Sequence, residues 1–258
     1  MNARYHGLCL LLVAACGLPV HVRAADAVAW EKVSSTHFVV LHAEDDKLAQ
    51  TVSERAEAYY TEIAADLGYT RYQNFWLWDN RAKILIYPTA QAFATACNAP
   101  AWAAGRASAE RREIASYRQG GETFLGSLLP HEMSHLILGD FIGKDHVPLW
   151  LTEGFAEWEQ SRHLVRPVPR PRHPFQLKAL MAMDIRQDTD QKRVALFYAQ
   201  AASVVGFLIR TRGGERFGAF CRGLRDGKTC EAALTSAYPD DFSSLDILEQ
   251  KWLKSLVP

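Results

Sequence analysis

His131, Glu132 and His135 stand in the run His-Glu-Met-Ser-His. On a helix this spacing puts two imidazoles one turn apart on a single face, with a carboxylate directly after the first. Two neutral imidazole nitrogens so placed suit one zinc ion, Zn2+, and Glu132, about one residue round, leans toward a water on that ion as general base. The chemistry predicted is metal-assisted hydrolysis. The pentapeptide alone fits a solvated helix face as well, so a third ligand decides its meaning.

A catalytic zinc takes three protein ligands and keeps a fourth position open, which predicts one more His, Asp or Glu on a neighbouring element. The stretch from Leu149 to Trp158, LWLTEGFAEW, supplies it. Its apolar Trp150, Phe155, Ala156 and Trp158 predict a helix buried against the first, with Glu153 aimed inward as the third metal ligand. Glu157 follows one turn later, where a carboxylate holds the outer nitrogen of a ligating imidazole. Glu157 is therefore expected to support a ligand rather than be one. Glu159 reads as an exposed neighbour.

HEMSH followed downstream by Glu153 within WLTEGFAEW resembles the gluzincin metallopeptidases, the clan of thermolysin and the zinc aminopeptidases, and within it the peptidase MA-like domains. The resemblance runs from about Phe38 to Trp252 and implies an α+β, zincin-like fold. That fold has a small mixed sheet and the active-site helix in an N-terminal lobe, and a mainly helical C-terminal lobe. It also implies a role for Tyr198, in Phe197-Tyr198-Ala199-Gln200-Ala201-Ala202: the aminopeptidase branch has a tyrosine at the corresponding place that donates to the oxyanion of the tetrahedral intermediate. No Gly-x-Met-Glu-Asn run for binding a free amino terminus is present, so an endopeptidase acting on a peptide or protein is expected. Two other readings stay open: an exported scaffold that binds peptides or envelope proteins without cleaving them, and a zinc hydrolase of non-peptide amides or cell-wall crosslinks.

With 258 residues, 48% of them hydrophobic, the chain is long enough to bury one sizeable core or two modest lobes. Its 29 Lys and Arg balance 29 Asp and Glu, which leaves no electrostatic footprint for nucleic acid. Residues 1–24 read as a secretory signal: Arg4, an apolar stretch from Gly7 to Leu18, then Val22-Arg23-Ala24. Export to the periplasm or medium follows, with no integral span after the signal is removed. A competing reading makes Val13-Ala14-Ala15-Cys16 a lipoprotein box, with a lipid anchor on Cys16. Of the remaining cysteines, Cys221 and Cys230 flank a turn-like segment and are expected to pair in an oxidising compartment, leaving Cys97 free.

The metal residues need elements to hold them. His37–His42 and Lys83–Tyr87 read as strands and Ile114–Tyr117 as a third, just before the metal helix. Leu48, Val52, Ala56, Tyr60, Ile63 and Leu67 recur at helical spacing, with Gly68 as the stop. Thr89 caps a short helix through about Cys97. Pro130 either opens the metal helix in its first turn or kinks it. The organisation predicted is a sheet-containing lobe over 25–165, a Pro/Arg-rich extended connector over 166–174 that joins two lobes, and a helical lobe over 175–258. Gly213-Gly214 ends one helix there, Ser243 with Asp246 forms a capping box for the last, and His163 and His173 read as surface residues.

Overall fold

The computed structural model describes residues 29–43, 46–68, 76–100, 103–118, 124–143, 147–164 and 170–257. The expected signal sequence, the alternative lipid site at Cys16 and the first part of the expected connector lie outside the described residues. The fold is α+β: a five-stranded mixed sheet carries helices on both faces, and a helical C-terminal half follows.

β1 (Glu31–Ser34) lies antiparallel to β2 (Phe38–His42). Next comes β3 (Ala82–Tyr87), then β5 (Glu113–Tyr117), both running parallel to β2, with Val40 opposite Ile84 and Ile84 opposite Ile114. β4 (Gly105–Ser108) closes the order β1-β2-β3-β5-β4 as an antiparallel edge strand beside β5. The pleat sends alternate side chains to opposite faces. Phe38, Val40, Ile84 and Ile114 therefore enter the main core, whereas Ala115 joins Phe93, Cys97 and Ala103 in a small second core. The two crossover helices divide accordingly. α1 (Asp46–Asp66) covers the main-core face, and α2 (Ala90–Cys97), capped by the Thr89 hydroxyl on the Ala92 amide, covers the other.

α3 (Leu129–Ile142) carries the HEMSH run. A π-helical turn, Phe124–Leu128, runs directly into it, and Pro130 falls in the first turn of the α-helical part. The helix is buried on every side, polar His131, Glu132, Ser134 and His135 included. A helix this enclosed positions its side chains without help from solvent. α4 (Leu149–His163) packs against it. After the connector come α5 (Leu177–Ala182), the 35-residue α6 (Gln191–Arg225), α7 (Cys230–Ala237) and α8 (Leu245–Leu256). α6 has the length and apolarity of a membrane span, yet 61% of its most apolar window is buried inside the protein, where it packs on α1, α3, α4 and α7. It is broken as expected at its glycines: Arg212 leaves the helical region and Gly213 takes φ +75°. The described end of the connector is non-helical and is tied to α6 by Gln200, whose amide accepts from the Phe175 N–H and donates to the Phe175 carbonyl.

Four expectations need correction. The cap of α8 is Ser244, whose hydroxyl accepts from the Ile247 amide, so the helix opens one residue later than a box from Ser243 would set. Cys221 and Cys230 are both free thiols; Cys221 is buried within α6, while the Cys230 thiol lies 3.6 Å from the Met181 sulfur on α5. His163 is no surface residue: its side chain is only 11% exposed, packed on Tyr59 with ring centroids 4.2 Å apart. Glu159 is fully buried, 3.3 Å from the Arg162 guanidinium and paired with Asp66 of α1, and burial pushes its carboxyl well above the usual range.

Candidate active site

The one-turn spacing on α3 brings His131 and His135 together with their Nε2 atoms 3.1 Å apart. Two nitrogens bound at 2.0–2.1 Å to a tetrahedral ion stand about 3.4 Å apart, so the pair already has close to the separation of joint ligands. α4 supplies Glu153, with Oε2 3.9 Å from His135 Nε2. One ligand atom from each of the three residues lies within 4.8 Å of the other two. All three side chains are buried, and Glu153 Oε2 has no hydrogen-bond partner.

Glu153 owes its place to the residue after it. Gly154 faces α6 so closely that a Cβ there would lie 2.7 Å from the Ala201 carbonyl carbon and oxygen. With no side chain in between, α4 and α6 approach backbone to backbone. Tyr198, one turn before Ala201, thereby reaches the Glu153 carboxylate. Glu157 lies one turn beyond Glu153, with Oε1 3.8 Å from His131 Nδ1. That is the side expected of a supporting carboxylate, at more than hydrogen-bond distance. The Gln160 side chain also reaches the His131 ring, a contact that i+4 reasoning from Glu153 did not find.

Glu132 points off the other flank of α3, toward the sheet. It is 2% exposed, and the Ala107 backbone N–H on edge strand β4 lies near enough to its carboxyl to favour the charged form. No side-chain pattern announces a backbone donor, so this partner was invisible in the sequence.

Electrostatically the centre has an excess of acceptors. Burial drives the Glu132 carboxyl up to about 8, against the nearby Ala107 N–H, which lowers it. Burial, with Glu157 and Glu132 as like-charged neighbours, drives Glu153 up to about 8. Burial alone carries Glu157 to about 7. The imidazoles move oppositely: burial takes His135 down to about 4, and burial with His135 beside it holds His131 well below its ordinary value. Burial and then the two carboxylates raise the Tyr198 phenol, which stays a proton donor at any ordinary pH. Neutral imidazoles beside crowded carboxylates are the donor set a divalent cation satisfies: the cation reverses the sign of each penalty. The cluster fits a metal ion.

A family model described as the Peptidase MA superfamily matches residues 79–257. That span holds His131, Glu132, His135, Glu153, Glu157 and Tyr198, and begins after α1. No curated protein matches the chain.

Proposed function

The chain belongs to the Peptidase MA superfamily, and from that membership and the buried cluster we propose that it is a zinc-dependent endopeptidase of the gluzincin type. The observation that carries the reading is the convergence of the His131, His135 and Glu153 ligand atoms within 4.8 Å, beside a buried Glu132. His131, His135 and Glu153 hold the ion. When bound, zinc supplies Lewis acidity, lowering the pKa of a water toward about 7 and polarising the scissile carbonyl.

The remaining work falls to the chain's own side chains. Glu132 accepts the proton of the attacking water and passes it to the leaving nitrogen. The Tyr198 phenol, today directed at Glu153, donates to the oxyanion of the tetrahedral intermediate. Glu157 and Gln160 orient His131. Burial of the four central residues keeps bulk water from screening these interactions.

Peptides or proteins are the proposed substrates, met after export directed by residues 1–24. Mass measurement of the mature N-terminus separates a soluble form from one lipidated at Cys16. The central test is Glu132→Gln: zinc content should stay at one ion per chain while cleavage of a peptide library falls by at least about a hundredfold. Chelation should abolish cleavage, and zinc should restore it. A Glu132→Gln protein that cleaves at the wild-type rate would falsify the mechanism, and wild-type protein that binds zinc but cleaves nothing would favour the scaffold or the non-peptide hydrolase.

A further inference from the structure

The Ala107 backbone N–H, on edge strand β4, lies beside the carboxyl of Glu132, the proposed general base. An edge strand has a partner on only one side, so β4 needs other anchors if it is to hold a carboxylate in place. Two are present. At its start, Gly105 lies against the turn before α3: a Cβ there would sit 2.5 Å from Leu128 Cδ2. At its end, the Ala109–Arg112 turn lies over the far half of α3, where a Cβ at Gly139 would be 3.8 Å from that of Ala109.

The second anchor is locked by charge. Arg112 adopts φ +50°, a left-handed conformation that turns its side chain back over α3. Its Nε donates to Asp140 Oδ2 at 2.9 Å, and its Nη1 donates to the Asn80 carbonyl at 3.0 Å. The same Asp140 oxygen accepts from the indole of buried Trp76 at 2.6 Å. The Arg112 carbonyl in turn accepts from the Lys83 amide of β3 at 2.9 Å. Asp140 is two helical turns beyond Glu132, about 12 Å along the axis. One helix therefore carries both the base and the point to which the strand steadying that base is fastened.

We propose that Arg112 and Asp140 are positioning residues, fastening the β4–β5 hairpin to α3 so that the Ala107 N–H holds the Glu132 carboxylate in its working orientation. This rests on Glu132 as the base. Loosening the hairpin leaves the metal ligands in place, since all three come from α3 and α4, and misplaces only the proton acceptor. A misplacement of this size costs turnover rather than substrate binding.

Hydrogen exchange at the Ala107 amide, followed by NMR on the zinc-loaded full chain with labelled alanine, reads this contact directly. Slow exchange is expected in the wild type, and exchange at least about tenfold faster in Glu132→Ala, Asp140→Ala and Arg112→Ala. Arg112→Lys, which keeps a cation and a donor, should recover part of the protection. Arg186→Ala, which removes an exposed ion pair with Asp184, should change nothing. On peptide, Asp140→Ala and Arg112→Ala should lower kcat roughly tenfold to a hundredfold at unchanged KM and unchanged zinc content. If Asp140→Ala fails to fold, Asp140→Asn keeps one acceptor and should show the smaller version of the same split. Unchanged Ala107 exchange in the Asp140 and Arg112 variants overturns the proposal, as does a loss confined to KM or to zinc. Exchange is read without substrate, so a wild type that cleaves nothing would overturn the peptidase reading while the Ala107 data still decide whether the pair sets the Glu132 geometry.

Discussion

Gly154 of α4 rests on the backbone of Ala201 of α6, with room for a hydrogen and none for a methyl group. The approach of Tyr198 to Glu153 depends on that contact, because both side chains are carried by the two backbones that meet there.

Gly154→Ala should therefore act as an overpacking mutation at the centre. Helix separation should cost about 1–3 kcal/mol of stability. It should also weaken zinc binding, because Glu153 moves with α4. Denaturant unfolding and zinc titration of the same variant check both effects, and a destabilised protein with undiminished zinc affinity would show that the crossing does not set the ligand.

Tyr198→Phe separates two uses of one phenol. If the hydroxyl stabilises the oxyanion, kcat should fall about a hundredfold with zinc affinity intact. If it serves instead to orient Glu153, zinc affinity should drop with kcat per bound zinc preserved. Steady-state kinetics beside a competitive zinc titration distinguishes them, and we expect the first outcome.

Removing the supporting carboxylate should show in the metal rather than in the chemistry. Glu157→Gln is expected to lower zinc affinity about tenfold to a hundredfold, with kcat of the fully loaded enzyme changed far less. Because Gln160 borders the same ring, the double variant with Gln160→Ala should lose more affinity than Glu157→Gln alone.

Stability without metal should shrink toward both ends of the pH scale. An unfolded chain binds protons that the buried imidazoles refuse, a contribution that removes stability as pH falls from 6.5 toward about 4 and that the raised carboxyls offset down to their ordinary 4.5, so the net acid loss comes below about 4.5. The folded chain in turn keeps protons on Glu132 and Glu153 that the unfolded chain releases above 4.5, and the stability this contributes is lost as pH rises through about 8. Ligation needs Glu153 ionised and both imidazoles neutral, so zinc should stabilise more as pH rises over this range. Melting curves with zinc and with chelator from pH 5 to 8.5 should diverge steadily, and a constant gap in Tm would contradict the assignment of Glu153.

Legibility followed how local each signal was. His131 and His135 declare themselves through i,i+4 spacing, and Glu153 through a helix whose apolar residues leave few orientations for a carboxylate. β2, β3 and β5 were readable because Phe-Val-Val-Leu, Ile-Leu-Ile and Ile-Ala-Ser-Tyr are β-rich runs. β1 and β4 were not: Glu-Lys-Val-Ser and Gly-Arg-Ala-Ser have no apolar alternation, and only their neighbours make them strands. The burial of Glu159 and His163 was hidden for the same reason. Each is covered in part by side chains of α1, Asp66 against Glu159 and Tyr59 against His163, far away in sequence, that single-segment reasoning cannot bring near. Gly154 was visible as a letter in the motif, but the closeness of its contact with Ala201 belongs to the packing of two helices.

The break in α6 separates two jobs that an unbroken helix would have joined. Before it, Tyr198 and Ala201 face α4; after it, Gly214 and Gly218 press on the backbone of Ala65 and Leu67 at the end of α1. In a continuous helix residue 214 would point about 140° away from Ala201, and any one-residue insertion would rotate one contact by about 100° relative to the other. Gly213, at φ +75° and with nothing near the place of a side chain, resets the azimuth between them. The break thereby lets one chain segment set Ala201 against α4 and Gly214 and Gly218 against the end of α1, at an angle between the two contacts that a continuous helix would not give.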